Sequence, residues 1–587
     1  MMKLAAVPAL IVALLLAAMI LDTLVASKEV KNEGTQDQVC QNSDDNPQDG
    51  SCRVVLADAT DDGEGLSSKA DAAPVTRHRV ADECRIVMAP STIARAGWGV
   101  FSLVDMRRGM PILPGDLVIQ VTDLNPQHAD GMTLMLHDYL WDASETGGFY
   151  EGKQVASALP GVGLLANGLS ENQHNVLPFV PTVDEGGLTR IESPGAGALT
   201  HYYNLTFFSS KDLTAGSEIF CNYGSDWFRE RQLRLASAEE VEAAPAQHST
   251  EWLRQQGRCL DNIRSGQSRI PHAGRGAFAT RHLDAGDIAA PVPVLVITKR
   301  QAFDLFRQRD DGTTIETKQL LLNYCLRHAN SSILLYPYSP MVNMVNHAPS
   351  SRANVRLQWS ESNELHKRGK KWLTQPLEAV KNYNQSGLLL ELVATRDINN
   401  DEEILLDYGV DWQNAWTKHV KEWKPLPDAG RYTPSYVMED VVNSLRTELE
   451  LKDHPYPENL FTSCFYRYAD HKNEAEKNSG ADGVTTFRWD MTRGLFDLRN
   501  LRPCKILQRE QDPKQGTLFT VRILNRYGLA KNERIPRGGV HIVTHVPRRA
   551  IRFSDKIYTT DQHLENAFRH EIGIPDDIYP KQWKDME

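Results

Sequence analysis

The chain has no C-x-x-C pair: its eight cysteines stand at 40, 52, 84, 221, 259, 325, 464 and 504, and no zinc site can be read from that scatter. It also has no excess of positive charge. Against 65 Lys and Arg stand 76 Asp and Glu, a net charge of −11, which argues against direct binding of nucleic acid through the general surface and suits a basic peptide better. Gly-x-Gly pairs occur, yet no helix pattern of the dinucleotide- or phosphate-loop kind follows them. Long apolar runs are confined to one place, Leu4 to Leu21, between Lys3 and the small residues Ala26-Ser27. Residues 1–27 therefore read as a secretory signal peptide or an uncleaved membrane anchor, and the expected location is the secretory pathway or a membrane held through this segment. Residues 28–82, rich in Asp, Glu, Asn, Gln, Ser and Gly, read as a disordered tether. An oxidising compartment would permit disulfides, Cys40 and Cys52 being the nearest pair in sequence, although spacing alone establishes none. Sequons begin at Asn204, Asn330 and Asn384, and they count only on that route.

What the chain does have is a repeat. Leu205 to Trp227 aligns without a gap on Leu390 to Trp412, keeping Asp212/Asp397, Glu218/Glu403, Ile219/Ile404, Tyr223/Tyr408, Gly224/Gly409, Asp226/Asp411 and Trp227/Trp412. Upstream, Ala96-Gly-Trp-Gly-Val-Phe101 pairs with Ala273-Gly-Arg-Gly-Ala-Phe278, and Asn167 and Asn175 match Asn346 and Asn354 with the same internal spacing. The order Gly-x-Gly, Asn, Tyr-Gly thus occurs twice, at roughly 150 residues per copy, a usual domain size. The division that follows is 83–234 for the first copy, 252–416 for the second and 417–587 for a C-terminal region.

In the second copy the turn Ile270 to Phe278 leads into a short strand, and Pro293 to Thr298, Asn354 to Trp359 and Gly387 to Thr395 read as further strands. Taken singly the marks are weak. Gly-x-Gly is usually a turn, an isolated Asp-Tyr-Gly is usually a strand end, and a lone histidine usually packs. Together, Gly274-Arg-Gly276, Asn346-His347 followed by Asn354, and Glu402-Glu-Ile-Leu-Leu-Asp-Tyr-Gly409 resemble the SET domain, the fold of lysine methyltransferases. The resemblance implies a mainly β fold with some α, two SET-like β-clip domains in tandem before a C-terminal α+β region. It also implies a knot-like threading in which the Asn-His strand meets the tyrosine segment.

By the same resemblance S-adenosylmethionine is the cofactor and a protein or peptide lysine the substrate. Gly274, Arg275 and Gly276 would contact the cofactor, the two glycines through backbone, Asn346 and His347 would hold its adenine end, and Tyr408 would be the catalytic tyrosine. In-line transfer from a sulfonium needs a neutral amine, correctly aimed, with water kept out. A tyrosine hydroxyl at the end of a narrow channel can aim that amine, and no metal is required. Leu406 stands where many members carry Phe or Tyr, and Ala348-Pro349 where Ser-Cys is usual. The first copy departs further, with Gly168 for His347, Asn222 for Asp407 and Cys221 for Leu406. It reads as a diverged, structural or peptide-binding SET-like domain. The reading from another class is a non-catalytic scaffold in both copies.

The insertion Glu361 to Trp372, with Lys367-Arg-Gly-Lys-Lys371, reads as a solvated loop. In the C-terminal region Val437, Val441, Leu445 and Leu449 stand at helical spacing and predict one core-facing helix over Pro434 to Leu451. Cys504 to Leu507, Gly516 to Leu524 and Val540 to Pro547 predict three strands, compatible with a small β-barrel. Phe568 to Pro575 reads as a short helix and Tyr579 to Trp583 as a docking segment.

Overall fold

The computed structural model describes residues 80–94, 96–122, 129–142, 155–169, 173–179, 204–223, 246–271, 273–308, 312–362, 365, 369–382, 387–425, 429–466, 484–489, 501–524, 540–556, 558 and 567–586. The N-terminal apolar run, Cys40, Cys52, Trp227 and Asn384 lie outside the described residues. Strands dominate and helices are few. Among the described residues no helix is long and apolar enough to cross a membrane.

The apolar pattern explains the central strand. Leu388–Ala394 is apolar except for Glu391, and all seven residues are buried, as a strand covered on both faces requires. Glu391 is accommodated because Arg258 Nε and Ser360 Oγ donate to its carboxylate at 2.8 and 2.7 Å, the pairing that a buried charge needs. On one side Leu388–Ala394 pairs with Val355–Trp359, which buries Val355 and Leu357 and exposes Arg356 between them. On the other it pairs with Ile288–Ile297. The sheet runs Ile263–Gln267, Arg275–Ala279, Glu403–Leu406, Val355–Trp359, Leu388–Ala394, Ile288–Ile297, Leu334–Pro337, Leu326–Arg327, Ile572–Gly573. Asn346–His347 lies parallel to Glu403–Leu406.

The first copy contributes a smaller sheet in the order Arg258–Cys259, Ile86–Pro90, Trp98–Ser102, Glu218–Asn222, Asn167–Leu169. Its edge strand Arg258–Cys259 comes from the start of the second copy. Beside it the Cys84–Cys259 disulfide joins the two copies covalently. One hydrophobic core, from Ile86 through Ile219 and Leu390 to Trp583, runs through both.

The region after the second copy divides in two. Residues 435–555 carry their own core around Leu445, Phe519 and Ile551. Their six-stranded sheet runs Val484–Arg488, Val540–Pro547, Gly516–Ile523, Leu501–Asp512, Leu460–Phe465, Ile551–Asp555. The three expected strands are there. Among the described residues the two end strands do not pair, so this is an open sheet and not a closed barrel, and the Cys464–Cys504 disulfide ties two neighbouring strands. The single helix expected over Pro434 to Leu451 is broken. Ser435–Val441 and Glu450–Asp453 are separate helices, Leu445 is buried between them, and Val441 and Leu449 are exposed. Asn443 and Ser444 in the intervening bend favour turns over helix, and they override the apolar spacing.

The last twenty residues leave that sheet and pack on the second copy. Phe568 to Pro575 is extended, not helical: Ile572 N, Gly573 N and Ile574 N donate to Cys325 O, Tyr408 O and Arg327 O. Gly573 and Pro575 both disfavour helix, and a ready strand edge at Leu326–Arg327 takes the segment instead. Glu571 anchors it, accepting from Arg300 at 2.5 and 3.0 Å and from Arg327 at 3.3 Å. The docking expected for Tyr579 to Trp583 is present, with Trp583 wholly buried and donating from Nε1 to Gln375 O. In the insertion at 361–372 Leu365 is buried and its carbonyl accepts from Trp98 Nε1, while Lys367 and Arg368 lie outside the described residues.

Candidate functional site

The site is built around one buried carboxylate. Glu403 opens the strand that leads to Tyr408, and it accepts from Ser268 Oγ at 2.6 Å, Arg269 N at 2.9 Å and Asn346 Nδ2 at 3.2 Å. Asn346 Nδ2 also donates to Arg275 O at 2.8 Å, so the Gly-Arg-Gly turn, the Asn-His strand and the tyrosine strand meet on this group. Asn354 clamps the strand from its other end, donating to Glu403 O and accepting from Leu405 N at 2.8 and 2.7 Å. Gly274, at φ +71°, makes the turn. Gly276 admits the carboxylate, since a Cβ there would stand 2.3 Å from Glu403 Oε1.

His347 is held at both nitrogens. Nδ1 accepts from Tyr408 N at 3.0 Å, which leaves the proton on Nε2 to be donated to Gln413 Oε1 at 2.7 Å. Tyr408 follows directly. Its hydroxyl donates to Val345 O, and burial raises its pKa, so it is a neutral phenol throughout the physiological range. A cavity of about 20 Å³ lies against it, walled by Tyr324, Val345, Leu406 and Ile572 among others. Burial likewise pushes Tyr324 up to about 12. Beside His347 and Tyr408 stands a group of rings, with Trp412 4.8 Å from His347 and 5.1 Å from Tyr408, and Phe568 edge-on to Trp412 and Trp416.

The structure therefore brings Gly274, Arg275, Gly276, Asn346, His347 and Tyr408 together at one junction. The Asn346 amide and both His347 nitrogens are turned into the protein, so what remains for a ligand is backbone, the aromatic faces and the cavity. A glycine turn lets backbone come close to a ligand, and ring faces suit a flat heteroaromatic base and a sulfonium cation such as those of S-adenosylmethionine, whereas the cavity itself has room for about one water. Glu403 was visible in the sequence as one of the repeated pairs. Gln413 and Trp412 lie one helical turn beyond Tyr408, in the Val410–Glu422 helix, and proximity was their only signal. Phe568 and Ile572 gave none, because the whole 435–555 sheet intervenes.

The first copy repeats this frame, with one added bond to Glu218 from the Thr92 hydroxyl at 2.5 Å. Glu218 accepts from Ser91 Oγ at 2.6 Å, Thr92 N at 2.8 Å and Asn167 Nδ2 at 3.1 Å. Asn167 Nδ2 donates to Trp98 O, and Asn175 donates to Glu218 O and accepts from Phe220 N. Tyr223 donates to Ala166 O at 2.6 Å, as Tyr408 does to Val345 O. The centre differs. Gly168 occupies the register position of His347, and a Cβ there would stand 2.4 Å from the Tyr223 ring, so that ring fills the histidine's place. Trp141 closes over it edge-on at 6.0 Å.

Residues 274–409 match the family model of the SET domain. This segment is a SET domain. Among solved structures, the chain is similar to a Plasmodium falciparum protein assigned as a histone methyltransferase, at 18% identity over 26% of this chain and 96% of that one, with a TM-score of 0.17. It is also similar to the polycomb repressive complex 2 of Chaetomium thermophilum, at 15% identity over 31% of this chain and 19% of that one, TM-score 0.18. A further likeness is to ctPRC2 bound to S-adenosylmethionine, at 17% identity over 34% and 21%, TM-score 0.19. The chain spans about a fifth of these polycomb chains. No curated protein is matched. The assignment of residues 274–409 rests on the family match.

Among the described residues one group, Cys84, Cys259 and Asp261, has the spacing of a metal site. Its two sulfurs are joined in the disulfide and offer no thiolate.

Proposed function

We propose that the chain is an S-adenosylmethionine-dependent protein-lysine N-methyltransferase whose second copy is the active one. The observation that carries this is the pairing of Asn346-His347 with Leu405-Leu406 inside the family-matched segment, next to Tyr408, whose ring and Leu406 also line a small apolar cavity. S-adenosylmethionine, held by the backbone of Gly274 to Gly276 and by the Asn346-His347 strand, supplies a methyl group on a sulfonium. Tyr408 gives its own proton to Val345 O, which leaves the lone pairs of its hydroxyl free to accept an N–H from a lysine amine and fix its direction. The apolar walls favour the uncharged amine, the form that can attack. Tyr324, Leu406 and Ile572 leave room beside Tyr408 for little more than about one water.

The first copy, on this reading, is a diverged SET-like domain that keeps the frame and has lost the cofactor site. The acidic surface favours a substrate lysine in a basic segment. Two disulfides support an oxidising compartment, consistent with the apolar N-terminal run and with residence in the secretory pathway or at its membranes.

The second reading is a non-catalytic scaffold, and it is favoured by one fact: the Tyr408 hydroxyl donates to the carbonyl before Asn346 just as the Tyr223 hydroxyl donates to the carbonyl before Asn167. Calorimetry of the full chain with S-adenosylmethionine separates the two. Binding, together with transfer of a labelled methyl group to a lysine-bearing protein, supports the enzyme; absence of cofactor binding leaves the scaffold.

A further inference from the structure

We infer that Asn330 is an N-glycosylation site, an inference that rests on the secretory reading above. Of the three sequons, Asn204 lies in Asn204–Ser209, the middle strand of a three-stranded sheet, and Asn384 lies outside the described residues. Asn330 instead sits exposed in a turn just after Leu326–Arg327, and the sequence there is Asn330-Ser331-Ser332. The two disulfides are consistent with an oxidising compartment where such glycans are attached.

The folded turn also says when attachment must happen. Ser332 Oγ donates to Asp585 Oδ2 at 2.6 Å, from a residue 253 positions further on. Asp585 N and Met586 N both donate to Asn330 O, and Ser331 Oγ donates to Trp583 O at 2.7 Å. Once the tail has docked, the hydroxyl that defines the sequon is committed and the backbone is clamped. The tail is made 253 residues after the turn, so the turn is open to a transferase throughout the synthesis of the intervening chain. In the step itself, a bond forms between Asn330 Nδ2 and the anomeric carbon of a lipid-diphosphate-linked oligosaccharide. The bond from that carbon to the diphosphate breaks, the diphosphate leaves with the electron pair, and the amide gives up one proton to the transferase. The product is a bulky polar group on an exposed turn.

The test is expression of the full chain in eukaryotic cells, followed by peptide mapping with and without a peptide-N-glycosidase, which converts an occupied Asn to Asp. The expected result is conversion at position 330, lost in both Asn330→Gln and Ser332→Ala. It should be retained in Ser331→Ala, which keeps the sequon while removing the bond to Trp583. The same samples, mapped without reduction, report whether Cys84 and Cys259 are linked. A linked pair with position 330 unmodified overturns the glycosylation and leaves the compartment standing. Free thiols at both cysteines with position 330 unmodified overturn the two together. Retention of the glycan in Ser332→Ala would show that position 330 is not being read as this sequon, and overturns the inference as well.

Discussion

The two copies share a frame and differ at its centre, and that difference separates what holds this arrangement together from what could make it work. Glu218 and Glu403, Asn167 and Asn346, Asn175 and Asn354 share the same set of bonds, Glu218 gaining one more from Thr92, so these residues are explained by structure alone. So is the bond from each tyrosine hydroxyl to the carbonyl before the asparagine. Among the described residues the second copy has His347 where the first has Gly168, a cavity against its tyrosine, and the tail strand Ile572–Gly573 closing that cavity.

The largest expected effect tests whether the tyrosines are truly unequal. Tyr408→Phe should lower turnover by about 10²-fold or more, roughly 2.7 kcal/mol or above, the scale of one well-placed polar group in a transition state. Cofactor affinity should stay near that of the unaltered chain, since ring packing is kept. Tyr223→Phe should leave turnover unchanged. Equal losses in the two variants, measured as initial rates of methyl transfer, would mean that both hydroxyls serve the frame.

Next in size is the packing of the first centre. Gly168→Ala places a methyl group 2.4 Å from the Tyr223 ring, and overpacking of this kind costs about 1–3 kcal/mol. A lowered Tm with unchanged methyl transfer is the expected outcome. His347→Ala, by contrast, should weaken cofactor binding in calorimetry, because its ring sets Tyr408 N and Gln413. A tighter cofactor complex in Gly168→Ala would show that the first centre is not closed by its tyrosine.

A smaller effect should be shared. Ser91→Ala and Ser268→Ala each remove one donor from a buried glutamate, a loss of about 1 kcal/mol in stability by the usual worth of such a bond. Chemical denaturation should give similar values for both. A marked inequality would break the equivalence of the two frames.

The sequence revealed the frame better than the walls. The repeated Glu, Asn and Tyr could be aligned because each is fixed by bonds within a short stretch of its own copy. The strands of the second copy were legible because Leu388–Ala394 is apolar throughout and Val355–Trp359 alternates. The tail was misread as a helix because its conformation is set by an edge strand far away in sequence, a contact that local pattern does not encode. The Cys84–Cys259 pairing was invisible for the same reason. Helical spacing over Pro434 to Leu451 misled because the bend at Asn443 and Ser444 turned Val441 and Leu449 to solvent.

The smallest effect concerns the tail, which caps the second centre. Burial alone would raise the pKa of Glu571, but the bonds from Arg300 outweigh burial and hold the carboxyl below its ordinary 4.5. A carboxylate depressed in the folded state adds stability above its unfolded pKa, and that contribution is lost as the pH falls through the folded value. The tail should therefore stay docked at neutral pH and loosen only below about pH 4.5, where Glu571 takes up its proton and both arginines lose their partner. Hydrogen exchange reads this at the amides of Ile572, Gly573 and Ile574, whose acceptors are Cys325 O, Tyr408 O and Arg327 O. Their protection, corrected for intrinsic rates, should drop in acid in the unaltered chain. In Glu571→Gln it should be lower at neutral pH and nearly independent of pH. The Asn175 and Glu218 backbone amides of the first copy, which no tail covers, should show no step in that range, so the ratio of the two sets isolates the tail from general acid unfolding. Parallel loss in both copies would mean that Glu571 reports the stability of the whole core and does not latch one site.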